Sequence, residues 1–336
     1  MERIGFATGY DRKAGVREMR EWARQADEAG FEIVFFSETI ELMRDSVSAL
    51  AGFALETERT TIGCTQIVRL RSPLVMAQTL ATLDELSGGR VLLSPGACTN
   101  THADRHGLPH GDPVMALEEY VEAIRLLLTG ERTTYRGEFV CFQDVELGFH
   151  PTRSRIPMLI AATSRTGLRA AGRFGDGVVL NATCSPEYDE NAIRILKDSA
   201  EKAGRNPDDL QIAQIINCSI EDDHRSALDS VRWEVASKLD PVQIPFIMGP
   251  KTRVGEPYMR PEDVPTFEAA WQRGGMDALI EAVPDTYVEG MTASGTPDEV
   301  VARVQRYRAA GVQLPILRAA QPHQVPRLIE LFAQRP

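Results

Sequence analysis

Paired or clustered cysteines are missing from this sequence. Its five cysteines (Cys64, Cys98, Cys141, Cys184 and Cys218) are odd in number, and none stands at C-x-x-C spacing. That argues against a disulfide framework or a zinc knuckle and for a reducing, cytoplasmic setting. Lysine is scarce, with five among the 37 basic residues, and acidic residues prevail to a formal net charge of −11. A general attraction to nucleic acid or to an anionic membrane is therefore not expected. No apolar run approaches the roughly 18 residues of a membrane span. The start, Met1-Glu2-Arg3-Ile4-Gly5, has neither a charged leader nor an apolar core, so no signal peptide is expected. G-x-G-x-x-G, Walker and G-x-S-x-G patterns are absent as well, which removes the usual dinucleotide, nucleotide and serine-hydrolase sites.

What is present is a regular alternation of strand and helix. Strands are expected at 3–8, 32–37, 60–68, 90–94, 156–161, 177–181, 210–220 and 313–318. Helices are expected to follow at 14–29, 46–56, 73–86, 114–129, 165–174, 186–203, 222–239, 298–310 and 323–334. Pro73 suits a first helical position, and Gly30 and Gly88-Gly89 suit helix ends. Residues 133–143 alternate like a hairpin turning near Arg136-Gly137-Glu138. Residues 240–293 are rich in proline and glycine, with short helical pieces. Eight βα units favour a single α/β domain spanning 1–336, a (β/α)8 TIM barrel with a late insertion and a small surface hairpin, over a doubly wound sheet.

In such a barrel the chemistry sits at the C-terminal strand ends. Glu38 is the one carboxylate directly at the first four of them, where it suits a general acid or a substrate-orienting group; alternatively it caps a loop or pairs with an arginine such as Arg44. His102, His106 and His110 share the long connection after strand four. Gly107 and Pro109 are expected to keep them off one helical face, and no H-E-x-x-H spacing supports a metal. His102, nearest the strand end, is the one placed to meet a substrate. Ser164 and Arg165 open a helix whose amides suit an anion, with a plain helix cap as the other reading. Asp176, in Gly175-Asp176-Gly177, reads as a turn former. Trp233, Phe246, Tyr258 and Trp271 are candidate pocket walls or core residues.

Several segments carry a resemblance. The run from Ser72-Pro73-Leu74 through Ala77-Gln78-Thr79-Leu80-Ala81-Thr82-Leu83-Asp84-Glu85-Leu86-Ser87-Gly88-Gly89-Arg90 resembles the hallmark of the bacterial luciferase-like flavin oxidoreductase superfamily. So do Glu118-Glu119-Tyr120 to Gly137, Ile156-Pro157 to Ala162 with Gly175-Asp176-Gly177, and Gly295-Thr296-Pro297-Asp298-Glu299-Val300. The resemblance implies a (β/α)8 barrel using either FMN, for monooxygenation with a reductase partner, or the deazaflavin coenzyme F420, for hydride transfer to or from a small-molecule substrate. The wording Ala81-Thr82-Leu83-Asp84-Glu85 is closer to the deazaflavin branch, which includes methylenetetrahydromethanopterin reductase.

By position, the resemblance implies a non-proline cis peptide near Thr65-Gln66 that backs the ring. It implies that Gly96, Ala97, Ala162, Thr163 and Ser164 line the cofactor's tail and phosphate. Thr8, Ser37, Thr65, Gln66 and Arg165 complete the expected cofactor set, with Glu38 and His102 as the catalytic candidates, no metal, and a homodimer as the assembly. Glu38-Thr39 stands where relatives often carry Asp-His, Ala97 where some carry glutamate, and Thr163-Ser164-Arg165-Thr166 where a Ser-Gly-Gly loop is usual. These departures speak against a sugar-phosphate dehydrogenase and leave a non-catalytic cofactor-binding paralogue as a further alternative.

Overall fold

The computed structural model describes residues 2–9, 14–39, 43–98, 100–249, 253–255 and 259–334, apart from the side chains of 101, 102 and 246. In chain order the elements are β1 (Gly5–Thr8), α1 (Val16–Glu28), β2 (Ile33–Phe36), α2 (Ser46–Glu56), β3 (Thr61–Ile67), α3 (Pro73–Ser87), β4 (Val91–Gly96), α4 (Asn100–His106) and α5 (Pro113–Leu128). Then come β5 (Thr133–Arg136), β6 (Cys141–Val145), β7 (Leu159–Ala161), α6 (Arg165–Phe174), β8 (Gly177–Leu180), α7 (Pro186–Lys202), β9 (Gln211–Ile220) and α8 (His224–Ala236). The chain closes with α9 (Ile244–Met248), α10 (Val264–Ala282), α11 (Asp285–Met291), β10 (Ala293–Gly295), α12 (Pro297–Ala309), β11 (Leu314–Ala319) and α13 (Val325–Leu331).

Eight parallel strands close into a ring in the order β9, β11, β1, β2, β3, β4, β7, β8 and back to β9. This is the expected (β/α)8 barrel. The core has three parts. Alternate strand residues such as Phe35, Leu92, Val179 and Ile316 fill the barrel. Their neighbours in sequence pack outward under the helices. A separate cluster, with Val231, Phe267 and Val288 among its members, holds α8 and the helices of the insertion together. Gly63 shows why small residues are needed inside: a Cβ there would lie 3.1 Å from the Phe35 ring. No helix among the described residues is long and apolar enough to cross a membrane.

Two features differ from expectation, and a third, the broken α10, fits the short helical pieces expected there. Residues 293–295 form a short strand, β10, paired with the far end of β9; three residues are too few to show a period. In α10 the pair Gly274-Gly275 breaks the helical backbone. A helix, α4, forms where Gly107 and Pro109 were expected to prevent one. Gly107 does not break α4 but ends it: it adopts φ 64°, and the Leu108 amide bonds back to the Ala103 carbonyl at 2.9 Å.

The expected hairpin is β5 and β6, an antiparallel pair. It is anchored by buried Glu119 of α5, whose carboxylate accepts from the amides of Glu138, Phe139 and Val140 at 2.8–2.9 Å.

At the N-terminal face of the barrel, Asp27 accepts from the amides of Glu58 (3.1 Å), Arg59 (3.0 Å) and Thr60 (2.6 Å). Burial pushes its carboxyl up, but the three amide bonds and Arg59 outweigh burial and hold it below its ordinary value. The stabilisation is therefore full above the unfolded pKa of about 3.9 and is lost as pH falls through the folded value. Asp27→Asn is expected to cost about 1–3 kcal/mol at pH 7 and to flatten the acid loss of stability. Urea unfolding at pH 7, 4 and 3 measures both; parallel pH profiles for the two proteins would contradict this.

Candidate active site

The strands tilt across the barrel, so side chains from alternate strands stack in layers. The registers (Phe36 with Cys64, Thr65 with Ser94, Gly96 with Ala161, Arg318 with Asn217) fix which residues share a layer. Ala7, Thr65, Ala161 and Ile215 form the floor of the mouth. Ser37, Gly96, Asn181 and Arg318 lie one level higher, and Gly9, Ile67, Thr163 and Asn217 form the rim. Below the floor the filling is mostly apolar, with Phe35, Val179 and Ile316, but Ser94 lies among them, fully buried.

The mouth is lopsided. On the side of β3, β4, β7 and β8 it is lined by small or part-exposed residues: Thr65, Gly96, Ala97, Ala161, Ala162 and Thr163. A Cβ on Gly96 would meet only ordinary contacts, the nearest being the Ala161 Cβ at 3.4 Å. On the side of β9 and β11 the mouth is roofed. Arg318, 4% exposed, donates to Glu234 of α8 at 2.9 Å. The Gln321 side chain reaches the Ser230 carbonyl, also on α8, at 3.1 Å.

Several buried polar atoms here have no hydrogen-bond partner among the described residues: the Ser37 and Ser94 hydroxyls and both amide atoms of Asn217. Native interiors leave few such groups unpaired, so each one calls for an explanation.

The expected site residues divide between the mouth and its supports. Ser37, Thr65, Gly96 and Thr163 converge in the mouth by strand alternation, with Ala97 and Ala162 beside it. Thr8 is buried and alternates to the outer face; its carbonyl accepts from Ser37 N at 3.0 Å. The Thr65 hydroxyl is shared with the Glu38 backbone, accepting from its amide at 2.6 Å. Gln66 faces outward, donating to Glu38 at 2.9 Å and to Ser46 at 2.6 Å.

The Glu38 carboxylate, 9% exposed, also accepts from the Ser46 amide at the start of α2 (2.7 Å) and lies 3.8 Å from Arg71. Its arginine neighbour is thus Arg71, on the loop into α3, rather than the Arg44 anticipated. One carboxylate oxygen, Oε2, holds the start of α2, and the other, Oε1, accepts from Gln66 of β3. Glutamine at this position turns one acceptor into a donor facing another donor. Glu38→Gln is therefore expected to cost about 1–3 kcal/mol, read by thermal unfolding; unchanged stability would contradict the capping role.

Ser164 caps α6, accepting from Gly167 N at 3.1 Å, and Arg165 donates through Nε to the Arg253 carbonyl at 3.1 Å. His102 lies on α4, one turn before His106, but its side chain falls outside the described residues, as do that of Phe246 and the whole of Tyr258. No group of histidine, cysteine and carboxylate side chains suited to a metal occurs among the described residues. Trp271 packs on the insertion's core, while Trp233 is 39% exposed on α8.

The cis peptide expected near Thr65-Gln66 is absent: among the described residues every peptide bond is trans. The β3–β4 ladder runs unbroken through Thr65, Gln66 and Ile67, opposite Ser94, Pro95 and Gly96. Asn217 and Arg318 did not enter the expected set. Both are polar residues near the C-terminal ends of the seventh and eighth barrel strands, where Ser219 of β9 also lies.

A closed parallel barrel whose mouth is lined by small residues and half roofed by α8 defines a (β/α)8-barrel enzyme. The chain belongs to the luciferase-like monooxygenase family, whose family model matches residues 3–314. It is 28% identical over 302 residues to a 5,10-methylenetetrahydromethanopterin reductase of Archaeoglobus fulgidus, covering 88% of this chain and 87% of the relative. It is 27% identical to an F420-dependent glucose-6-phosphate dehydrogenase of Nakamurella multipartita, covering 99% and 95%. Among solved structures, the coenzyme F420 dependent tetrahydromethanopterin reductase of Methanopyrus kandleri superposes with a TM-score of 0.84 at 24% identity, covering 99% and 98%. The relatives are oxidoreductases by name, and this chain is an oxidoreductase of the same family.

Proposed function

We propose that the protein is a coenzyme F420-dependent oxidoreductase that moves a hydride between the deazaflavin and a small organic substrate. The observation that carries the reading is the open side of the mouth, where Gly96, Ala97, Ala161 and Ala162 leave room for a flat ring beside the unpaired Ser37 hydroxyl. The F420-dependent relatives, which align over most of the chain, favour the deazaflavin over FMN.

When bound, the deazaflavin supplies a two-electron hydride carrier; the protein's part is orientation and electrostatics. Ser37 and Thr65 face the ring's place from one side, and Gly96, Ala97 and Ala162 keep it open. Thr163, Ser164 and Arg165 would hold the phosphate at the start of α6, where the helix dipole favours an anion. Glu38 is a positioning residue: by fixing the loop after β2 to α2 it sets the height of Ser37. The roof formed by α8 excludes water from the β9–β11 side.

Turnover tests the reading. The deazaflavin's absorbance should change when substrate candidates are added to the loaded enzyme, and reduced FMN should not drive oxygen consumption. Oxygen uptake with reduced FMN, and no F420-linked turnover, would instead make the protein a monooxygenase.

A further inference from the structure

Asn217 presents an unmet demand. Its carboxamide is 1% exposed, and neither its oxygen nor its nitrogen has a partner among the described residues. It stands on the rim layer, facing inward, beside Arg318 across the β9–β11 ladder. The Arg318 charge is met by Glu234 of α8, so this wall offers no net charge to attract an anion.

An asparagine side chain carries an acceptor and a donor side by side. One ligand edge satisfies both at once only if it presents a donor next to an acceptor, in the geometry by which asparagine pairs with an adenine edge. We propose that Asn217 is the receptor for an uncharged lactam-type edge, an N–H beside a C=O, bound beneath α8. The inference rests on the oxidoreductase reading of the same mouth. Such an edge occurs in the pyrimidine-dione part of a flavin-type ring and in many heterocyclic substrates, so the two sources must be told apart.

The test uses the full-length protein, Asn217→Leu and Asn217→Asp. Leucine keeps the approximate volume and removes an unpaired buried amide, a change that is neutral or stabilising when no ligand is present. The ligand-free Asn217→Leu protein is therefore expected to melt at or above the wild-type temperature, which a merely structural asparagine would not allow.

Binding is then read by fluorescence titration with F420, and by calorimetric titration of uracil, a minimal lactam-edge probe, into the protein with and without F420. If the edge belongs to the cofactor, both variants bind F420 at least tenfold more weakly. If it belongs to the substrate, F420 affinity stays within twofold and uracil binding falls at least tenfold. A lowered melting temperature in Asn217→Leu, with unchanged affinity for both probes, would overturn the proposal. Wild-type protein that binds uracil through Asn217 but not F420 would sink the deazaflavin reading and leave this one standing.

Discussion

Asp84→Ala is expected to lower stability by about 3–5 kcal/mol while leaving turnover per folded molecule unchanged. Asp84 lies near the end of α3, fully buried. The Arg153 guanidinium reaches across to it, with Nε 3.0 Å from Oδ2, and the Val91 amide donates to it at 3.3 Å. Removing the carboxylate strands a half-buried guanidinium and an amide at the start of β4. The whole assembly lies at the N-terminal face of the barrel, remote from the mouth, where side-chain contacts serve stability rather than chemistry. Urea unfolding together with kcat per active site separates the two effects. A stable variant, or a stable fold with lost turnover, would contradict the assignment.

Gly96→Ile should do the reverse. The Cβ has room and β4 tolerates a branched residue, so the fold should survive with a melting temperature within a few degrees of wild type. The side chain would project into the level of the mouth shared with Ser37 and Arg318. F420 affinity is expected to fall at least about 100-fold, or about 2.7 kcal/mol. Retained affinity would place the ring elsewhere and remove the main support for the proposed function.

These two residues also show what was legible in the sequence. The segment that carries the family resemblance, through Asp84 to Arg90, is structural: Gly88 adopts φ 67° as the α3 cap, and Arg90 donates to the carbonyls of Thr57 and Thr60 at 2.6 and 2.5 Å. A resemblance built on such residues identifies the fold without naming a substrate. Local signals placed helices well where a cap marks them. Asp45 accepts from Ser48 N at the start of α2, and Ser164 from Gly167 N at the start of α6, and both helices occupy their expected spans. Asp176, read as a turn former, does more than turn the chain: its carboxylate reaches back to accept from Met158 N at 2.9 Å and lies 3.1 Å from Arg125.

What depends on distant contacts stayed hidden. The partners of Glu38 come from α2, β3 and the loop before α3, and only the closed barrel brings them together. The pairing of Asn217 with Arg318 joins strands separated by the whole insertion. The roof of α8 over β11 depends on the insertion's own core. None of these leaves a period or a motif in the chain.

The most direct test of the central claim is a fluorescence titration of the purified, ligand-free protein with coenzyme F420, run in parallel with FMN. Saturable tight binding of F420, at least tenfold stronger than that of FMN, is the predicted result. Tight binding of FMN alone would contradict the deazaflavin reading and direct attention to monooxygenation; binding of neither would reduce the mouth to a feature of the fold.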